Sequence, residues 1–165
     1  MVSATFMEAF IRPGYGIQNW ASRTNYPAWG ILQTGPAEMS LYVQRHYGQP
    51  SHHLQRFTLR TDGFASVRAP YDGGEFRTKP VICGGNRLLL NYSTSAAGEI
   101  RVEIQDDSGN PLPDYTLADC NPIIGDHIEG EVVWKSKTDL SDVLGKTIRL
   151  RFVMKDADLF ALRFL

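Results

Sequence analysis

The sequence predicts an all-β fold: an antiparallel, jelly-roll-like β-sandwich that follows an N-terminal irregular segment and a β-meander. Ile100, Val102 and Ile104 alternate with charged or polar residues, and a period of two is typical of a half-buried strand. The same alternation recurs along Thr147–Lys155. Clusters of Gly, Pro, Asn and Asp separate about ten short β-favouring runs, and no run has a sustained helical period.

A hairpin is predicted near the middle of the chain. Arg87–Tyr92 and Glu99–Gln105 are both β-favouring, and the small residues Ser95–Gly98 between them are turn-prone. We therefore expect two antiparallel strands with one solvent-exposed face.

The N-terminal part is predicted to be a domain of its own, residues 1–61. Residues 1–26 are irregular apart from a short helical turn over Ser3–Phe10, since Pro and Gly interrupt the rest. Trp29–Thr34, Met39–His46 and His53–Arg60 then form a three-stranded meander.

The β-sandwich is predicted to comprise residues 62–165. Residues 106–130 form a long connection in it, and connections of that length are usually functional or cross between sheets. The other expected strands are Phe64–Ala69, Glu75–Lys79, Val132–Lys135, Thr147–Lys155 and Leu159–Leu165, with a turn at Asp156–Asp158 before the last of them.

Composition excludes several classes of partner. The 165-residue chain is 42% hydrophobic and 21% charged, with a net charge of −1 and no charge block, so neither nucleic acid nor an anionic membrane is expected. No apolar run approaches the roughly 18 residues that span a bilayer. The N-terminus lacks a basic start and a long apolar core, so no signal peptide is expected.

No cofactor or metal is predicted. Cys83 and Cys120 have no metal-type spacing; free or buried thiols are expected, and one disulfide remains open if their strands are neighbours. His46 and His53 are expected at different strand ends, which argues against zinc. A structural calcium at Asp106–Asn110 is the alternative to a solvated turn, which we favour.

Aromatic residues near the N-terminus suggest a sugar site. Trp and Tyr rings stack on the apolar face of a pyranose while polar neighbours hold its hydroxyls. The alternative is that Trp20 and Trp29 fill a gap between the N-terminal hairpin and the sandwich; Trp134 is expected in the core. The candidate binding residues are Arg12, Tyr15, Asn19, Trp20, Arg23, Asn25 and Trp29.

Glu38 is the candidate catalytic acid or base. It follows a turn at Gly35-Pro36 and is expected near Trp29, Arg12 and Arg23. Glycoside hydrolysis needs two carboxyl groups flanking the sugar, and no spacing identifies a second one. The alternative is a turn carboxylate paired with a nearby arginine. A serine hydrolase is not supported, because Gly-x-Ser-x-Gly is absent.

Several stretches resemble bacterial proteins related to glycoside hydrolase families 32 and 43. GGEFRTKP (Gly73–Pro80), Asn86–Cys120 and Ile148–Phe164 are similar to the β-sandwich that follows the five-bladed propeller in many members, and Phe10–Gly14, Asn19–Val43 and Leu54–Phe64 look like the end of the propeller. In that family the nucleophile and most sugar contacts lie in earlier blades, which have no counterpart here. The resemblance implies the tail of a larger enzyme, or a shortened stand-alone version, either bacterial cytoplasmic or secreted within a longer chain.

Three functions remain open. The favoured one is a carbohydrate-associated module that binds a polysaccharide or supports a glycoside hydrolase domain. The second is a small glycoside hydrolase acting on plant or microbial polysaccharide. The third is a structural module that docks onto a catalytic propeller or self-associates through an apolar patch.

Overall fold

The computed structural model describes residues 9–19, 25–137 and 139–165 and confirms the all-β prediction. Those residues form ten strands, all paired antiparallel, and two short 3-10 turns at Ile17–Asn19 and Ser141–Val143. The chain divides into two compact units whose boundary in sequence lies between Gly63 and Phe64. Neither 3-10 turn is long or apolar enough to cross a membrane, and the described residues contain no other helix.

The N-terminal unit is a small antiparallel sheet built on one central strand. Its strands are β1 (Tyr26–Pro27), β2 (Leu32–Gly35), β3 (Glu38–Arg45) and β4 (His53–Arg60). β4 pairs with the whole length of β3, while β2 and β1 pair with successive parts of its other edge. The meander is as predicted, although β2 begins later than Trp29; the predicted helical turn lies almost wholly outside the described residues.

The C-terminal unit is organised by two 18-residue strands. Its elements are β5 (Val67–Ala69), β6 (Gly74–Arg77), β7 (Val81–Ile82), β8 (Leu88–Gln105), β9 (Asp126–Glu131) and β10 (Thr147–Phe164). β8 and β10 pair along most of their lengths. β5, β6 and β7 continue the sheet from β10, and β9 pairs with the first half of β8.

The predicted hairpin at Ser95–Gly98 is wrong, because the chain does not reverse there. Thr94 pairs with Ala157 and Glu99 with Lys155, so four residues of β8 lie opposite the single residue Asp156. The small residues form a large irregular bulge instead of a turn. The predicted turn at Asp156–Asp158 is wrong for the same reason: Asp156 has φ +41° and forms the other side of the bulge within β10.

Both halves of each long strand contribute to one buried core. Leu90 and Val102, from the two halves of β8, belong to the same cluster as Phe152 and Leu159 from β10. Strands that bend from one layer into the other at a bulge are a known way to build a sandwich corner. The connection between β8 and β9 and the segment after β9 also bury Tyr115, Cys120, Ile123, Trp134 and Leu140 in this cluster.

Trp134 lies in the core as predicted, where its Nε1–H donates to the Val102 carbonyl at 2.9 Å. The strand predicted over Val132–Lys135 is wrong: β9 ends before it at Glu131, and Trp134 makes only isolated bridges with Cys120 and Lys137. Cys83 and Cys120 are free and buried, in agreement with the favoured prediction.

Candidate functional site

Trp29 is fully exposed in the loop between β1 and β2. The Ala28 N–H donates to the Tyr42 carbonyl at 2.8 Å, and Gly30 has φ +87°, a conformation that glycine adopts without strain. The chain is thus fixed to β3 on one side of Trp29 and turns sharply on the other.

The other candidate binding residues in the first segment have different environments. Tyr15 is also fully exposed, and Arg12 is exposed. Asn19 ends the 3-10 turn, and its backbone N–H donates to the Gly16 carbonyl at 3.1 Å. Two further predicted sugar contacts, Trp20 and Arg23, lie outside the described residues.

Asn25 connects the N-terminal segment to the central strand. Its Nδ2 donates to the Ile11 carbonyl at 2.7 Å, and its Oδ1 accepts from Arg45 Nη1 at 3.0 Å. The amide oxygen and one amide proton are therefore used within the protein. These contacts hold Asn25 in place between the N-terminal segment and β3, and its contact with sugar stays a prediction.

An apolar pocket of about 520 Å³ lies in the same unit. Leu41 and Val43 form part of its wall from one face of β3, and Asn25 is the only lining residue with a polar side chain. The lining residues are Phe10, Ile11, Asn25, Pro27, Ala28, Gly30, Ile31, Leu41 and Val43. Trp29 lies between two of them in sequence, so its backbone adjoins the pocket.

Sequence reasoning missed this pocket. The alternation of Leu41 and Val43 with Ser40 and Tyr42 indicated a buried face, and both aliphatic side chains are buried. The pattern does not indicate how much of that face other residues cover, because the cover comes from segments distant in sequence.

Glu38 lies in a polar cluster on the other face of β3. Its carboxylate pairs with Arg56 Nη2 and accepts a hydrogen bond from Thr34 Oγ1 at 2.8 Å. Arg56 Nε donates to the buried Ser40 Oγ at 2.9 Å. Even-numbered residues of β3 point away from Leu41 and Val43, so the strand carries Glu38 and the pocket on opposite faces.

The predicted arginine partners of Glu38 were Arg12 and Arg23, and the observed partner is Arg56. Arg56 pairs with Tyr42 in the β3–β4 register and therefore shares the face that carries Glu38. Strand register determines which arginine pairs with Glu38, and proximity in sequence does not predict it.

The oxygen-rich turn at Asp106–Asn110 is held by its own hydrogen bonds. Asp106 accepts from the Asn110 backbone N–H at 2.8 Å and from Asn110 Nδ2 at 3.0 Å. These bonds, the side-chain one first, lower the pKa of Asp106 below its ordinary value of 3.8. Within the described ranges no group of three or more His, Cys, Asp or Glu side chains could hold a metal ion.

Comparison with known proteins gives no relative. No family model, no curated protein and no solved structure matches the chain.

Proposed function

We propose that the chain is a carbohydrate-binding module whose N-terminal unit stacks a sugar ring on Trp29. The observation that carries the proposal is the complete exposure of this indole on a loop that is bound to β3. Exposing a whole indole to water is unfavourable, and a flat aromatic ring matches the apolar face of a pyranose. Tyr15 offers a second exposed ring in the same unit.

The surroundings of Glu38 favour binding over hydrolysis. Glycoside hydrolysis needs a carboxyl group that is free to face the scissile bond. Glu38 instead pairs with Arg56 and accepts from the Thr34 hydroxyl within its own sheet. The resemblance to proteins related to glycoside hydrolases, which rests on the sequence patterns alone, is consistent with a carbohydrate ligand and does not require catalysis.

Native affinity electrophoresis tests the proposal with cellulose, xylan, β-glucan and fructan. The parent chain should be retarded by at least one of them, and Trp29→Ala should weaken that retardation at least about tenfold, as expected for loss of a central aromatic anchor. Tyr71→Ala removes an exposed aromatic from the C-terminal unit and is the matched control. Equal retardation of the parent and Trp29→Ala would reject Trp29 as the platform.

A reducing-sugar assay on the same polysaccharides distinguishes binding from the alternative that the chain hydrolyses them. We expect no sugar release from the parent chain. Release that Glu38→Gln abolishes, while that variant still binds the polysaccharide, would establish the small glycoside hydrolase instead.

The apolar pocket supports a second candidate function, docking onto a catalytic domain. A cavity of this lining offers few groups for sugar hydroxyls but accommodates an apolar side chain of a partner protein. Ile31→Glu places a charge in the pocket wall. If the pocket mediates self-association, Ile31→Glu should be monomeric in analytical ultracentrifugation at concentrations where the parent associates, while Trp29→Ala should associate as the parent does.

A further inference from the structure

His46 and His53 lie side by side where β3 turns into β4. In the register of this hairpin Arg45 pairs with His53, so His46 follows directly beside it. The two ring centroids are 5.0 Å apart, and the rings are nearly perpendicular at 87°. His46 follows the end of β3 and His53 begins β4, so they lie at different strand ends as expected. These two ends adjoin in the antiparallel hairpin, however, so the inference that the histidines are too far apart to act together is wrong.

Ser51 binds the same nitrogen of both rings. His53 Nδ1 lies 2.9 Å from the Ser51 carbonyl oxygen, and His46 Nδ1 lies 2.9 Å from Ser51 Oγ. A carbonyl only accepts, so Nδ1 of His53 carries the proton and Nε2 of the neutral ring keeps its lone pair. The serine hydroxyl can accept from His46 in the same way.

Both Nε2 atoms are left available by this arrangement. In the described part of the chain neither makes a hydrogen bond, and His53 is solvent-exposed while His46 is partly so. Histidines that ligate metals through one nitrogen almost always donate the other ring N–H to a carbonyl, carboxylate or water.

The loop that carries the pair is held in a fixed conformation. His46 has φ +54°, in the left-handed region that non-glycine residues seldom adopt. Its carbonyl accepts from the Gln49 N–H at 3.0 Å, and the Gln49 carbonyl accepts from the His52 N–H at 2.9 Å. Such a backbone conformation persists where surrounding contacts enforce it, and with it the His46 and His53 rings lie 5.0 Å apart.

We propose that His46 and His53 bind a transition-metal dication through their Nε2 atoms, with water completing the coordination. Imidazole suits Zn²⁺, Cu²⁺ and Ni²⁺, and an exposed pair leaves room for water ligands. The ring of His52 lies against Tyr47 at 5.9 Å, edge to face, and does not join the pair. Two protein ligands make this a site for reversible binding of a free ion. The proposal is independent of the carbohydrate function.

Titration with Zn²⁺ alone tests the proposal. Calorimetry measures the binding, and long-range ¹H–¹⁵N correlation spectra report which imidazole nitrogens are involved. We expect one equivalent to bind, with the shift change at Nε2 of both histidines. His53→Ala and His46→Asn should each weaken binding at least about tenfold; asparagine tolerates the left-handed backbone at position 46, so that variant keeps the loop.

His52→Ala is the matched control and should bind Zn²⁺ as the parent does. Ser51→Ala removes the hydroxyl that binds His46 Nδ1 and should weaken Zn²⁺ binding about tenfold. Losing the hydrogen-bond partner of a metal-ligating histidine typically lowers metal affinity by about ten- to a hundredfold. Absence of binding by the parent would overturn the site, as would full binding by His53→Ala and His46→Asn, or a shift confined to Nδ1.

Discussion

Gly98 lies directly against the backbone of Asp156, where the two long strands of the C-terminal unit bulge. An ideal Cβ built on Gly98 would lie 3.1 Å from the Asp156 carbonyl carbon, closer still to its oxygen, and 2.6 Å from the Lys155 carbonyl oxygen. Cβ atoms do not approach backbone this closely, so the bulge opposite Asp156 requires glycine here.

Gly98→Ala should therefore destabilise the protein by about 1–3 kcal/mol, the usual cost of forcing a methyl group into packed structure. Urea unfolding followed by circular dichroism measures the change. Gly84→Ala is the control, because a Cβ at Gly84 has no atom within 4 Å. Equal loss of stability in both variants would indicate a general effect of removing glycine and would contradict a specific contact.

The bulge also shows how much of the fold the sequence patterns predict. Alternation placed the apolar residues of β8 and β10 on the buried side correctly, since side-chain direction depends only on position along a strand. Ser95–Gly98 has the composition of a turn, yet its flanks pair with one long partner instead of with each other. Strand pairing over a long distance decides between a turn and a bulge, and local composition is similar in both.

The candidate site also contains features that the local sequence does not predict. The sequence placed Trp29 at the start of a predicted strand, whereas in the structure it lies in the loop before β2 with its ring exposed. The role of Asn25 depends on Ile11 and Arg45, which are 14 and 20 residues away. The neighbours of His46 and His53 likewise follow from hairpin register, which a list of histidines does not give.

Cys83 and Cys120 should be unreactive in the folded protein. Both thiols are buried, and burial raises the pKa of each above the ordinary value of 9.0, so little nucleophilic thiolate is present at neutral pH. Ellman's reagent should label neither thiol in the native protein and both in denaturant, without a reductant. Labelling only after reduction would indicate a disulfide and contradict the free thiols.

Trp134→Phe should lower the free energy of unfolding by about 1–3 kcal/mol. The indole N–H is the donor to the buried Val102 carbonyl, and phenylalanine leaves that acceptor unsatisfied while preserving an aromatic ring beside Tyr115. Unfolding should be followed by circular dichroism, because removing a tryptophan changes the fluorescence signal. Trp29→Phe changes the same residue type at the surface and should stay within about 0.5 kcal/mol of the parent; a similar loss in both variants would contradict the argument.

The Arg87–Glu131 pair should make part of the stability pH-dependent. Arg87 Nε and Nη2 donate to the two carboxylate oxygens at 2.7 and 3.0 Å. The hydrogen bond from Arg87 is the main cause that lowers the pKa of Glu131 below its ordinary 4.5. The folded state therefore binds this proton less readily than the unfolded state, so the pair stabilises the fold above the ordinary pKa and loses that effect as the pH falls through the lowered one.

Glu131→Gln should accordingly be less stable than the parent at pH 7 by about 0.2–1 kcal/mol, the range for partly exposed ion pairs. The difference should shrink as the pH falls below 4.5 and vanish in strong acid. Urea midpoints across this range measure it, and a double-mutant cycle with Arg87→Gln isolates the pair from the neighbouring Glu129–Arg163 bridge. Parallel pH curves for the parent and Glu131→Gln would mean that the pair contributes nothing to acid sensitivity.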